Sequence, residues 1–252
     1  MIDAHTHLDV RSFEDLENMA IAGIETIITQ SHDPYKMSVH QVYLDHWDRL
    51  INLETKRGKL ANVDVKVCVG VHPMGYPNDW KCLIDYLPKY LEMDNVVGIG
   101  ETGLHYLNKT EEELLISQIN IAKEYDYPIV IHTPEKNKED ALKKILKILD
   151  TEKIDDNLVM IDHINMDTVN MIDRDVYIGL TIQPTMKIDY EECLNIIKTY
   201  EDKKFILSSD LGSLKADIYA LPKMKLYMKN SGLSTGRIND CINNNAKKFY
   251  NL

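Results

Sequence analysis

Six residues of metal-binding type close apolar runs along the chain. His5 and His7 end Met1 to His7, Glu101 ends Val96 to Glu101, and His132 ends Pro128 to His132. His163 ends Leu158 to His163, and Asp210 ends Lys204 to Asp210. Four imidazoles with two carboxylates suit zinc, manganese, magnesium or another divalent ion. Residues two apart on a strand point to one side, so His5 and His7 can reach one ion together, with Asp3 two positions below. Six protein ligands exceed what one catalytic ion with an open position takes, whereas two divalent ions sharing a carboxylate account for all of them. A single histidine after an apolar run is more often a satisfied core or surface residue. Six such groups at the same end of five strands, two of them paired on one, point to a metal site, and the chemistry implied is hydrolysis by metal-activated water.

Those strands have to bring their ends to one place. Eight segments read as strands: the five already named, together with Glu25 to Gln30, Val65 to Val71 and Val176 to Ile182. Several are apolar on both faces, as in Val96-Val97-Gly98-Ile99-Gly100, which marks strands covered on both sides. Amphipathic stretches lie between them. Thr110 with Glu113 three residues on reads as a capping box ahead of Leu114, with the helix ending near Tyr127-Pro128. Leu142, Ile145, Leu146 and Leu149 form the apolar stripe of a helix over Glu139 to Leu149, with Lys143, Lys144 and Lys147 on a solvated face. An open doubly wound sheet shares this rhythm. In a closed parallel barrel all strand C-termini open at one face, and the placement of the six polar residues favours that α/β fold, a (β/α)8 TIM barrel.

With 252 residues, 44% of them hydrophobic, the chain can bury one large core. It has no Pro/Gly/Ser-rich linker, so residues 1–252 read as a single TIM-barrel domain. The start Met1-Ile2-Asp3-Ala4-His5 has no basic-then-apolar leader and no apolar run approaches a membrane span, so a cytoplasmic protein with no membrane association is expected. Cys68, Cys82, Cys193 and Cys241 are too widely spaced for a redox pair or a zinc knuckle and read as reduced, mostly buried thiols. The net charge of −11 argues against a broad basic face for nucleic acid, although two dications would dominate the field of a local pocket. No obligate protein partner is evident. Of the remaining histidines, His40 and His46 fall in a helical stretch and read as surface residues, and His32 carries little signal. His72 and His105 follow the third and fourth strands and are candidates for contacting substrate.

The motifs resemble those of TatD-like metal-dependent hydrolases of the amidohydrolase superfamily. Met1-Ile2-Asp3-Ala4-His5-Thr6-His7-Leu8-Asp9 is similar to the family's amino-terminal HxH segment, and Val69-Gly70-Val71-His72-Pro73 to its third-strand GxHP. Gly100-Glu101-Thr102-Gly103-Leu104 is similar to its GEIGL, Ile131-His132-Thr133 to its fifth-strand histidine, and Asn245 to Leu252 to its closing NAxxLFxL helix. The resemblance implies that Glu101 bridges two metals, that His5, His7 and Asp210 serve one, and that His132 and His163 serve the other. A carbamylated lysine would mark the phosphotriesterase-like branch, and that strand here ends in Glu101. A late Asp-x-His would mark the polymerase-and-histidinol phosphatases, and Asp210 is followed by Leu211-Gly212.

Departures from the pattern mark a divergent subgroup. Pro134 stands where many TatD nucleases carry arginine, Ser208-Ser209-Asp210 replaces Glu-Thr-Asp, and His105 stands where the family has aspartate. Lys136 and Lys138 are candidates to replace the lost cation, with solvated loop lysines as the alternative. The resemblance implies phosphodiester hydrolysis, with DNA ends or a small phosphodiester as substrate and with Asp210 and Glu101 as catalytic residues. The alternatives are a small-molecule amide, ester or lactone hydrolase and a non-catalytic metal-bound scaffold.

Overall fold

The computed structural model describes residues 1–31 and 36–252, so His32 lies outside the described residues. Eight strands form one sheet in sequence order: β1 (Ile2–Thr6), β2 (Thr26–Gln30), β3 (Asp64–Val69), β4 (Val96–Gly103), β5 (Ile129–His132), β6 (Val159–Ile161), β7 (Tyr177–Thr181) and β8 (Lys204–Ser208). All seven neighbouring pairs are parallel. Beyond β8, the Asp210 N–H donates to His5 O (3.0 Å) and the His7 N–H donates to Leu211 O (2.8 Å). These bonds join the last strand to the first, and the sheet becomes a nearly closed TIM barrel.

Among the described residues, ten α-helices fall outside or beneath it: α1 (Phe13–Ile21), α2 (His40–Arg49), α3 (Thr55–Leu60), α4 (Lys81–Leu91), α5 (Lys109–Tyr125), α6 (Lys138–Glu152), α7 (Tyr190–Thr199), α8 (Ala220–Asn230), α9 (Thr235–Asn239) and α10 (Asn245–Tyr250). The cap of α5 differs from the sequence expectation. Asn108, not Thr110, accepts the Glu111 N–H (3.0 Å), because the helix begins at Lys109 and Thr110 already lies within its first turn. Between β6 and β7 the described chain makes only the short 3-10 turn Val169–Met171. There Thr168 Oγ1 donates to Asn165 Oδ1 (2.6 Å), a local bond that competes with helix formation.

The core has two layers. Leu16, Leu83, Leu87, Ile119, Leu142, Ile145 and Ile197 are fully buried between helices and barrel wall. Inside the barrel, Ile2, Ala4, Ile28, Cys68, Val130, Met160, Tyr177 and Ile206 meet Ala246, Phe249 and Tyr250 of α10. Helix α10 therefore packs into the end at which β1 and β7 begin, opposite the histidines. Tyr250 Oη donates to Ala4 O (3.2 Å) and accepts from Gln30 Nε2 (3.3 Å), so the last helix supplies the floor under the site.

Candidate metal centre

Strand β4 carries Glu101 within its span, where its register against β5 shifts between Ile99 and Thr102, while β6 and β8 stop before the residues of interest. His163 (φ 61°) and Asp210 (φ 48°) occupy left-handed turns just past the strand ends. That conformation costs an L-residue about 1–2 kcal/mol and persists only where the surroundings fix it. The Asp210 bond to His5 O fixes the second turn, and the His163 N–H, which donates to Asp162 Oδ1 (2.7 Å), fixes the first.

The structure brings His5, His7, Glu101, His132, His163 and Asp210 together. Glu101 is 2% exposed, and its two oxygens face different partners. Oε1 lies 2.9 Å from His132 Nδ1 and 3.0 Å from His163 Nε2. Oε2 lies 3.3 Å from His5 Nε2 and 3.8 Å from His7 Nε2, and Asp210 Oδ1 lies 3.1 Å from His7 Nε2 and 3.8 Å from His5 Nε2. Three groups could each surround a cation: His5, His7 and Asp210; His5, Glu101 and His163; and His72, Glu101 and His132.

The ring nitrogens facing away from these groups are anchored. His5 Nδ1 donates to Asp162 Oδ2 (2.6 Å), His7 Nδ1 donates to Gln30 O (3.2 Å), and His163 Nδ1 meets Thr181 Oγ1 (2.8 Å). His132 Nε2 meets His105 Nδ1 (3.2 Å). Anchoring one nitrogen leaves the other with its lone pair inward, which fits a set of metal ligands. His72 differs. Its Nδ1 accepts the Met74 N–H (3.1 Å), which places the ring hydrogen on Nε2, 3.7 Å from Glu101 Oε2.

The electrostatics of the protein side chains alone differ from ring to ring, and a cation bound at Nε2 would displace a proton from His5. Burial alone would raise the Glu101 carboxyl, but His5, His72, His132 and His163 outweigh it and hold it well below the usual range. Asp210 is likewise held low against burial, by His7, His5 and His163. The carboxylates of Glu101 and Asp162 keep His5 well above the ordinary imidazole value despite burial. Burial pushes His132 down to about 4, leaving that ring neutral. Asp3, pushed up to about 6 by burial, accepts from Ser209 N–H (3.0 Å) and Ser209 Oγ (2.6 Å) below the site and supports the turn that carries Asp210.

The remaining sequence candidates divide. His72 and His105 line a cavity of about 560 Å³ with His7, Glu101, His132 and Asp210, rimmed by the apolar side chains of Val10, Met74, Met186 and Leu214. His105 is placed by the buried Glu111, which accepts the backbone N–H groups of His105, Tyr106 and Leu107. Lys136 is exposed. Lys138 is not a solvated loop side chain: at the start of α6, its Nζ donates to Thr133 O, Thr133 Oγ1 and His163 O. His46 is not a surface residue either, being 10% exposed and 4.0 Å from Asp9 Oδ2, while His40 bonds Asp79 Oδ2 at 2.7 Å. Sequence reasoning missed Asp162 as the partner of His5, although it precedes His163 at a strand end. It also missed Lys187, whose Nζ pairs with Glu135 and lies 3.9 Å from Asp210 Oδ2.

This arrangement matches known proteins along the whole chain. The family model for the TatD related DNase matches residues 2–251. The sequence is 68% identical over 252 residues to an uncharacterized metal-dependent hydrolase of Methanocaldococcus jannaschii, covering 100% of both chains. The fold is similar to the crystal structure of a TatD-like protein from Archaeoglobus fulgidus, with a TM-score of 0.86, 29% identity and 100% of both chains covered. A phosphotriesterase homology protein from Escherichia coli, solved with phosphate in its active site, shares the fold at a TM-score of 0.73 and 16% identity, covering 99% of this chain and 98% of that one. With a family model spanning all but its two end residues and relatives matched over its full length, the chain belongs to the TatD related DNase family.

Proposed function

We propose that the protein is a metal-dependent hydrolase that holds two divalent ions, zinc, manganese or magnesium, and cleaves phosphodiester bonds. The observation that carries this reading is the split of Glu101, with one oxygen toward His132 and His163 and the other toward His5 and His7. A carboxylate between two sets of anchored imidazoles suits a bridge, with Asp210 beside His5 and His7 completing one set. When bound, such ions activate water and neutralise charge on the phosphoryl oxygens. The chain's own groups then place and move protons. Asp210, with Oδ1 turned to His7, keeps Oδ2 to accept the proton of the attacking water. His72 Nε2 donates toward the reacting oxygen, and His105 and Asp162 keep His132 and His5 from rotating. The relative from Methanocaldococcus jannaschii, named as a metal-dependent hydrolase, and the family's description as a DNase support the assignment.

A second reading, hydrolysis of a small amide, ester or lactone, is favoured by the apolar rim of Val10, Met74, Met186 and Leu214 and by the net charge of −11, which repels a long polyanion. The deciding experiment strips the protein with chelator and restores manganese, zinc or magnesium. Cleavage is then followed on a single-stranded DNA oligonucleotide, a bis-aryl phosphodiester and a lactone and amide panel, with Glu101→Ala as control. Metal-restored cleavage of either phosphodiester, absent from the variant, is the expected result. Cleavage confined to lactone or amide would replace it with the second reading.

A further inference from the structure

Lys187 is a buried cation at the mouth of the site that no part of the proposed chemistry uses. Its side chain is 10% exposed, and its ammonium pairs with Glu135 and lies 3.9 Å from Asp210 Oδ2. It stems from a hydrogen-bonded turn: Gln183 O accepts both the Met186 N–H (2.9 Å) and the Lys187 N–H (2.8 Å). On the far side of that turn the Gln183 N–H donates to Ile188 O (3.1 Å), and Gln183 Nε2 donates to Asp210 O (3.4 Å). Its partner is more open to the cavity. The Glu135 side chain is 36% exposed and lines the main cavity. Glu135, His163 and Met186 also line a side pocket of about 130 Å³ that Lys187 and Lys138 share, so the pocket that holds the ammonium adjoins the main cavity across Glu135. Lys138 is spent on three backbone and hydroxyl acceptors, which leaves Lys187 as the cation available to an incoming anion.

A nearly buried ammonium paired with a partly exposed carboxylate that lines the main cavity has one partner that an incoming anion can reach and replace. Burying the cation unpaired would be costly, so Glu135 serves in the absence of substrate, and an oxyanion entering from the mouth can take its place without moving the lysine. We propose that Lys187 binds a phosphoryl oxygen of the substrate beside Asp210 and that Glu135 is the displaceable counter-ion that keeps this place until substrate arrives. The substrate class named here rests on the phosphodiester reading above, while the anion site itself can be measured apart from turnover.

The test titrates inorganic phosphate into manganese-reconstituted protein by calorimetry, with metal content and melting temperature measured for every variant. Lys187→Gln is expected to weaken phosphate binding at least about tenfold, as expected for loss of a charge-assisted hydrogen bond, with metal content unchanged. Lys187→Arg is expected to retain most of the affinity. Glu135→Gln removes the competing carboxylate and is expected to bind phosphate severalfold more tightly. Phosphate binding within twofold of wild type in Lys187→Gln overturns the proposal. So does a loss that tracks loss of metal, which would make Lys187 a support for Asp210 alone, and so does binding in Glu135→Gln that is no tighter than wild type. If the variants behave as expected while the protein cleaves no phosphodiester, the anion site stands and the phosphodiester reading fails.

Discussion

His5 Nδ1 and Asp162 Oδ2 are 2.6 Å apart although 157 residues separate them in sequence. Asp162 is fully buried, and its other oxygen accepts the His163 N–H (2.7 Å), so one carboxylate orients a ring from β1 and the turn that carries a ring beyond β6. Burial alone would raise the carboxyl, but His163 and His5 bring it down to about 2, and it stays ionised at neutral pH.

Asp162→Asn is therefore expected to keep the fold and weaken metal binding by about 10–100-fold, the usual effect of losing the partner behind a ligating histidine. Competition against a chromogenic chelator reads the affinity, and circular dichroism reads the fold. Metal affinity equal to wild type would show that His5 needs no such partner.

Gly179 makes the same dependence visible from the neighbouring strand. A Cβ there would lie 2.1 Å from Asp162 Oδ1, 2.6 Å from its Cγ and 3.1 Å from its Cα, so the side chain cannot simply swing away. Gly179→Ala is expected to displace Asp162, lowering metal affinity as Asp162→Asn does, and to cost about 1–3 kcal/mol of stability through overpacking. Chemical denaturation with metal titration of both variants checks this. A Gly179→Ala protein that loses stability but holds metal normally would separate the packing role of this glycine from the site.

What the sequence made legible follows from how local each signal is. The barrel could be read because strands such as Ile129–His132 are apolar on both faces, and their alternation with helices requires no knowledge of distant contacts. The histidines stood out because each ends such a run. Asp162 also ends a run, but its role lies in a contact with β1 that no local pattern encodes. Lys187 sits in an irregular turn with no periodicity, and its placement depends on Gln183, Glu135 and Asp210 meeting in space. Lys138 looked like one more loop lysine because two of its three acceptors are backbone carbonyls just past two strand ends, invisible in a list of side chains. The missing helix between β6 and β7 reflects a segment whose polar residues bond to their own turn.

Removing metal is expected to lower stability, because a ligand that binds the folded state alone stabilises it by mass action. An ion at a hundredfold excess over its dissociation constant contributes about 2.7 kcal/mol, on the order of 5–10 °C in melting temperature for a chain of this length. Differential scanning fluorimetry with chelator and with manganese or zinc measures the shift. In Glu101→Ala the shift should shrink, since that residue faces both histidine pairs. An identical shift in the variant would place the stabilising ion elsewhere.

The four cysteines are all unpaired and give a clean probe of the native core. Cys68, Cys193 and Cys241 are buried among apolar side chains, whereas Cys82 is partly accessible. Burial raises the buried thiols, Cys241 to about 12 and Cys193 well above its ordinary value, so almost none of either is thiolate at pH 8. Thiolate is the reactive form, and accessibility is low at the same three positions. Alkylation of native protein at pH 8 is therefore expected to modify Cys82 alone on a timescale of minutes, and all four only after denaturation. Mass spectrometry of the intact chain counts the adducts. Rapid modification of Cys68 would be the most informative failure, because that thiol lies inside the barrel against α10, and reaching it would mean that the floor beneath the histidines opens readily.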